Sequence, residues 1–77
     1  MKVIVYGTPT CPYCHIAQDF LKENKVEYRY VDVSVDQKAA EEMVEKSGQM
    51  GVPVIDIDGK IIVGFDKDRI KKELNLK

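Results

Sequence analysis

The two cysteines of the chain, Cys11 and Cys14, lie three positions apart in the segment Cys-Pro-Tyr-Cys. Residues i and i+3 share one face of a helix, so the two sulfur atoms can approach each other. A disulfide between them closes a very small ring, which can open and close without unfolding the chain. The spacing therefore predicts a pair of thiols that is reversibly oxidised.

The expected position of the pair at the start of a helix gives the two thiols different roles. The attacking species in thiol–disulfide exchange is the thiolate. Cys11 is expected where unpaired backbone N–H groups and the positive end of the helix dipole stabilise an anion. Cys14 is expected one turn further inside, where the chain shields it. We therefore expect Cys11 to attack a disulfide and Cys14 to resolve the mixed disulfide. Between them, Pro12 stiffens the turn and Tyr13 offers an aromatic edge beside the sulfur.

Two other uses of the motif are disfavoured. A structural zinc site needs about four ligands, and His15 is the sole histidine that could join the two cysteines. The segment Cys-Pro-Tyr-Cys-His also matches a haem-attachment pattern, but that would require a haem-wrapping fold and usually export. We therefore expect no metal and no prosthetic group, and we expect His15 to be an exposed helix residue.

Apolar periodicity and turn residues predict the element order β-α-β-α-β-β-α. The predicted strands cover residues 2–6, 27–33, 52–57 and 60–63. The predicted helices start near Cys11, at Ser34-Val35-Asp36-Gln37 and near Asp66, with Thr10 expected to cap the first of them. The second start resembles a capping box, with Asp36 as a rival cap. The second helix is expected to end at Ser47 and Gly48.

These elements predict an α/β fold. The first β-α-β unit should be parallel and right-handed. Asp58-Gly59 between two apolar runs predicts an antiparallel hairpin. A four-stranded mixed sheet flanked by helices on both faces accounts for every apolar stripe. We expect residues 1–77 to form a single domain.

The composition excludes several classes of partner. Twelve basic and thirteen acidic residues leave a net charge of −1, which provides no basic surface for nucleic acid or for a membrane. The apolar run Val3–Tyr6 is too short for a signal peptide or a membrane span. We expect a monomer in the cytoplasm, where structural disulfides are rare and a cysteine pair is more often catalytic or metal-binding.

Three segments together resemble the glutaredoxin family of the thioredoxin superfamily. They are Cys11–Cys14 after a strand, Gly51-Val52-Pro53-Val54 before a hairpin, and Gly64-Phe65-Asp66 before the last helix. The resemblance covers almost the whole chain and implies a thioredoxin-like fold, with Pro53 as a cis-proline opposite the disulfide. It also implies that the backbone of Val52 pairs with substrate as a short extra strand.

The resemblance further implies the activity of a glutaredoxin-type thiol–disulfide oxidoreductase. Its partners would be disulfide-containing proteins and glutathione, with glutathione as substrate rather than cofactor. Asp66 and backbone N–H groups at the last helix would bind the γ-glutamyl end of glutathione. The implied catalytic residues are Cys11 and Cys14, and the implied binding residues are Tyr13, Val52, Pro53, Gly64, Phe65 and Asp66.

Several positions depart from the family pattern. Many glutaredoxins have a lysine where this chain has Thr8, a Gly-Gly pair where it has Val63-Gly64, and a second acidic residue where it has Lys67. Gln49 and Met50 stand where some members place a basic residue. The electron donor is therefore open between glutathione and thioredoxin reductase, which serves the short glutaredoxin-like reductants that this chain also resembles.

Two further functions remain as alternatives. One is an iron–sulfur carrier in which two chains and two glutathiones hold a [2Fe–2S] cluster, although the stiff Pro12 and a competing Cys14 disfavour it. The other is a binding module that kept the fold and lost turnover.

Overall fold

The computed structural model describes residues 2–75, which form four strands and three helices in the predicted order. The elements are β1 (Val3–Gly7), α1 (Pro12–Glu23), β2 (Arg29–Asp32), α2 (Gln37–Ser47), β3 (Val54–Ile57), β4 (Lys60–Val63) and α3 (Lys67–Glu73).

The strands form one mixed sheet in the order β2-β1-β3-β4. β1 is parallel to β2, with Tyr6 opposite Val31. β1 is antiparallel to β3, with Tyr6 opposite Val54, and β3 is antiparallel to β4, with Val54 opposite Val63. The predicted parallel unit, the hairpin and the mixed sheet are all confirmed.

A separate apolar core lies on each face of the sheet, because successive residues of a strand point to opposite sides. Val5 packs with α1 and α3, whereas Tyr6 packs with α2. The larger core contains Val3, Val5, Ala17, Phe20, Leu21, Ile55, Ile57, Ile62, Ile70 and Leu74, and the smaller contains Tyr6, Met43 and Val54. The two cores fix α1 and α3 on one side of the sheet and α2 on the other.

The ends of three predicted strands are wrong. β1 covers Val3–Gly7 rather than residues 2–6, because its ladder with β2 continues to Gly7, opposite Asp32. β3 begins at Val54 rather than residue 52, because Pro53 has no N–H to enter a ladder. β2 covers Arg29–Asp32 rather than residues 27–33, because its ladder with β1 runs only between Ile4 and Gly7 on that strand. The hairpin strand Lys60–Val63 has the predicted bounds.

Side-chain caps fix the starts of the second and third helices. Asp36 accepts a hydrogen bond from Ala39 N at 3.0 Å, and Asp66 accepts one from Arg69 N at 3.2 Å. The last residue of α2 is Ser47, and Gly48 is its C-terminal cap. The φ of Gly48 is 72°, which lies in the left-handed region that glycine tolerates. Within residues 2–75, none of the helices combines the length and the apolar character needed to cross a bilayer.

A polar cluster ties α2 to the sheet. Lys46 Nζ donates to Asp56 Oδ2 at 2.8 Å and to Tyr6 Oη at 2.8 Å, and it lies 3.0 Å from Glu42 Oε1. Asp56 is only 7% exposed, and its other oxygen accepts from Gly59 N at the hairpin turn. Burial acts to lower the pKa of Lys46, but its hydrogen bonds, the one to Asp56 above all, raise the pKa on balance.

We predict that Lys46→Met lowers the free energy of unfolding by about 2 kcal/mol, because it leaves the buried Asp56 carboxylate without its cation. The side chain of Lys46 is 28% exposed, which places the loss below that of a fully buried pair. Urea unfolding followed by circular dichroism measures the change. Lys38→Met, at an exposed position of the same helix, is the control. Equal stability of the two variants would contradict the prediction.

Candidate active site

The register of the sheet brings the last residue of β1 and two loop residues together at one end. The β1–β3 ladder ends at the pair Tyr6–Val54, and the β3–β4 ladder ends at the pair Val54–Val63. Both pairs lie at the same end of the sheet. One residue further along each chain places Gly7, Pro53 and Gly64 in a row. Gly64 N donates to Pro53 O at 2.8 Å, which joins the last two directly. The cysteine motif, the loop before β3 and the loop before α3 therefore meet at this end of the sheet.

Cys11 itself caps α1, so the prediction that Thr10 does so is wrong. Cys11 has an extended backbone, and its Sγ accepts a hydrogen bond from Cys14 N at 3.1 Å. Its own N–H donates to Thr8 O at 3.2 Å, and Pro12 opens the helix. The sulfur replaces the usual oxygen of a cap because it reaches the same unpaired N–H. A backbone donor aimed at this sulfur suits a negative charge there.

Cys14 is the buried partner of the pair. Its exposure is 0%, whereas Cys11 is partly exposed, and both thiols are free. Burial first, and then the hydrogen bond with Cys11, raise the pKa of the Cys14 thiol to about 11, while a backbone hydrogen bond from Thr8 acts to lower it. The predicted asymmetry between an accessible first cysteine and a shielded second cysteine is thus present.

Gly7 makes room for the buried sulfur, which sequence reasoning missed. A Cβ atom at Gly7 would lie 2.7 Å from Cys14 Sγ and 3.2 Å from Tyr30 Cε1. The first distance is shorter than real contacts allow, so a side chain at this position would displace the cysteine. The signal in the sequence was a glycine at the end of a strand, just before the cysteine motif. The sequence alone does not give the distance between this glycine and Cys14.

The Val52–Pro53 peptide bond is cis, as the family resemblance implied. Val52 is half-buried and packs against the core on the α2 side, while Pro53 is buried. The backbone of Val52 lies outside the ladders, because β3 begins only at Val54. Its peptide groups can therefore pair with an extended segment of another molecule.

The segment before α3 borders the site on the other side. Gly64 has a φ of 79°, which a residue with a Cβ adopts only with strain. Phe65 is half-buried and meets Phe20 edge to face, with ring centroids 5.7 Å apart. Lys67 Nζ lies 5.9 Å from the centroid of the Phe20 ring. Phe65 is therefore anchored on α1, and Asp66, the cap of α3, is exposed beside it.

Two residues of the cysteine motif segment face outward. Tyr13 is 62% exposed, so its ring is available to a bound molecule. His15 is exposed as predicted, and its Nε2 lies 2.9 Å from Pro9 O.

In the loop before Val52, the side-chain amide of Gln49 is already engaged in hydrogen bonds. The side-chain amide of Gln49 donates to Gly51 O at 3.1 Å and accepts from Gly51 N, so it closes on its own loop. Met50 is 81% exposed. Its side chain lines a surface cavity with Ala40 and Val44 of α2.

Comparison with known proteins agrees with this geometry. Residues 3–62 match the family model described as glutaredoxin. An uncharacterised glutaredoxin-like 8.6 kDa protein of the rubredoxin operon of Clostridium pasteurianum is 50% identical over 68 residues, covering 88% of this chain and 91% of the relative. Glutaredoxin 3 of Escherichia coli K12 is 38% identical over 65 residues, covering 84% and 78% of the two chains. A crystallised mutant of the thioredoxin-like protein BC3987 superposes with a TM-score of 0.93 at 34% identity, covering 99% of this chain and 97% of the other.

A four-stranded mixed sheet with three helices and a pair of neighbouring cysteines at one end defines a thiol redox protein of thioredoxin-like fold. The sequence match over most of the chain narrows this class, and the protein belongs to the glutaredoxin family.

We predict that Gly7→Ala disturbs the resolving cysteine. The added methyl group overlaps Cys14 Sγ, so the variant is expected to lose about 1–3 kcal/mol of stability. It should also lower the rate of dithiol disulfide reduction. Thermal unfolding and a disulfide-reduction assay measure the two effects. Gly51→Ala is the control, because its Cβ would meet only the flexible end of Gln49. Wild-type stability and rate in Gly7→Ala would contradict the prediction.

We predict that the reduced protein loses stability between pH 9 and 11 because of Cys14. The thiol pKa is about 11 in the folded chain against an ordinary value of 9.0, so the unfolded chain releases this proton first. The free energy of unfolding then falls as the pH rises, by about 2 kcal/mol over the window. Urea unfolding of reduced wild type and Cys14→Ala tests this, because the variant should lack this part of the decline. Parallel pH profiles would refute it.

Proposed function

We propose that the protein is a thiol–disulfide oxidoreductase that reduces protein disulfides and glutathione mixed disulfides, acting as a cytoplasmic monomer. The observation that carries the proposal is the contrast between the two thiols. Cys11 is accessible and accepts a backbone N–H, whereas Cys14 is buried one turn away with a raised pKa. This is the arrangement that an ordered, two-step exchange requires.

With a protein disulfide, both cysteines take part. The Cys11 thiolate attacks one sulfur of the substrate, so a mixed disulfide forms and the other substrate sulfur leaves as a thiolate. Cys14 then gives up its proton, and its sulfur attacks Cys11 Sγ. The mixed disulfide breaks, an intramolecular disulfide forms, and the substrate leaves with two thiols. Two electrons pass from the protein to the substrate.

With a glutathionylated protein, Cys11 suffices. Its thiolate attacks the glutathione sulfur, and the substrate protein leaves with a free thiol. A second glutathione thiolate attacks the adduct, releasing oxidised glutathione and the Cys11 thiolate. Glutathione is consumed as a substrate, and no cofactor takes part.

The residues around the cysteines provide a binding surface for either substrate. The backbone of Val52 beside the cis-Pro53 can add a short strand from the substrate. Tyr13 supplies an exposed ring, and Gly64 and Phe65 form the opposite border, with Asp66 placed for an ammonium group.

In the first candidate function, glutathione reduces the disulfide of the protein. A second candidate function has the same chemistry but takes its electrons from another protein. Thr8 and Gln49 carry no charge that could hold the carboxylates of glutathione, and Gln49 is engaged with its own loop. Met50, in the same loop as Gln49, is an exposed apolar residue and also carries no charge. These features favour a protein donor such as thioredoxin reductase over glutathione as the reductant of the Cys11–Cys14 disulfide.

We predict that Cys11→Ser abolishes reduction of both substrate types, because no other described thiol is accessible. Cys14→Ser is expected to lose reduction of protein disulfides and to keep reduction of glutathione mixed disulfides. Assays with a protein disulfide and with a glutathionylated peptide separate the two routes. Full activity of Cys11→Ser would overturn the assignment of roles.

The electron donor is tested by coupling turnover to NADPH oxidation. One assay contains glutathione and glutathione reductase, and the other contains thioredoxin reductase alone. Turnover in the first supports a glutathione-linked enzyme, and turnover confined to the second supports a thioredoxin reductase-linked one. An inert cysteine pair in both, with an intact fold, would contradict the proposed activity and favour a binding module.

A further inference from the structure

The ring of Tyr30 shares the compartment of Cys14. A Cβ at Gly7 would meet Cys14 Sγ at 2.7 Å and Tyr30 Cε1 at 3.2 Å, so the sulfur and the ring edge border the same small space. Tyr30 stands opposite Val5 in the parallel ladder and packs against the core on the α1 side. The ring therefore approaches the buried sulfur from β2, on the same face of the sheet as the helix that carries Cys14.

Tyr30 adds no charge to this compartment near neutral pH. Burial raises the pKa of its hydroxyl, and the negative charges that Cys14, Asp32 and Cys11 can carry raise it further. The hydroxyl consequently stays protonated. Cys11, from the motif itself, is the titratable group that acts on Cys14, and Cys14, Asp32 and Cys11 are those that act on Tyr30.

We propose that Tyr30 is a positioning residue that keeps water from Cys14 Sγ and so reserves the first attack on a disulfide for Cys11. The proposal rests on the proposed oxidoreductase function, because an order of attack matters only when two thiols act in turn. Tyr30 touches neither the substrate nor Cys11 Sγ in this role. It acts through the solvation of the resolving sulfur alone.

This role follows from what limits a thiol as a nucleophile. Only the thiolate attacks, and removing water from a sulfur disfavours its charged form. While Cys11 is an unreacted thiol, a Cys14 that is shielded from water stays protonated. Substrates therefore do not form mixed disulfides with Cys14. Once Cys11 carries the mixed disulfide, its sulfur becomes the target of Cys14. The two residues lie on the same helical turn, so the target is close. The intramolecular geometry then compensates for its low thiolate fraction.

The proposal is tested on reduced protein by two readouts that need no turnover. The first is the pKa of Cys14, measured by NMR on protein labelled with ¹³C at cysteine Cβ and assigned with Cys14→Ser. The second is the rate at which iodoacetamide alkylates each cysteine, measured by peptide mass spectrometry. Wild type, Tyr30→Ala, Tyr30→Phe and Tyr28→Ala are compared.

Tyr30→Ala is expected to lower the pKa of Cys14 by at least about one unit and to raise its alkylation about tenfold at fixed pH, because water reaches the sulfur. Tyr30→Phe keeps the ring and is expected to keep Cys14 protected. Tyr28→Ala is the matched control: it removes a tyrosine that packs on the same core two residues earlier, where its hydroxyl bonds Gln18 at 3.1 Å. Cys14 should keep its wild-type pKa in this variant.

Three results would overturn the proposal. They are an unchanged Cys14 in folded Tyr30→Ala, an equal change in Tyr28→Ala, and a full change in Tyr30→Phe, which would assign the effect to the hydroxyl. If Tyr30→Ala does not fold, Tyr30→Leu keeps apolar packing with less cover and is judged by the same outcomes. Because both readouts work on an inactive protein, failure of this proposal is distinguishable from failure of the proposed function.

Discussion

The close contact between Cys14 and the backbone of Gly7 is the constraint on which the site depends. The absence of a side chain at Gly7 lets the first turn of α1 press against the end of β1, with Cys14 Sγ in the gap. Cys14 is thereby buried, and its N–H is directed at Cys11 Sγ. This contact, together with the shielding that we propose for Tyr30, underlies the difference between the two thiols: Cys11 is partly exposed with its sulfur beside a backbone donor, whereas Cys14 is buried.

The rest of the fold holds the surroundings of this contact in place. The ladders of β1, β3 and β4 end together, so Pro53 and Gly64 lie beside the cysteine loop. Phe65 packs on Phe20, which fixes the segment before α3 to the same helix that carries the cysteines. On the opposite face, Lys46 and its partners hold α2 against the sheet. The site is thus supported by regular elements, although its binding residues lie on loops.

Membership of the glutaredoxin family defines the chemistry more closely than the partner. The thiol pair and the cis-proline fit the family pattern, whereas Thr8, Gln49 and Met50 are uncharged residues of the loops that precede Cys11 and Val52. These three residues are neutral or apolar, whereas glutaredoxins often have a charged residue at the corresponding positions. Recognition by this chain should therefore depend more on backbone pairing and apolar contact than on charge, which is why a protein donor is a serious candidate.

The sequence by itself determined the element order, the Asp58-Gly59 hairpin and the place of the cysteine pair at the start of a helix, because periodicity, turn residues and short motifs are local signals. The cis peptide bond at Pro53 was implied by the resemblance to the glutaredoxin family and not by a local signal. Only the tertiary structure decided that Cys11 rather than Thr10 caps α1, since the choice depends on which atom reaches Cys14 N. It alone also revealed Gly7, Tyr30 and the Lys46–Asp56 pair. These contacts join positions on different elements, and their distances are set by how helices pack on the sheet, which no local pattern records.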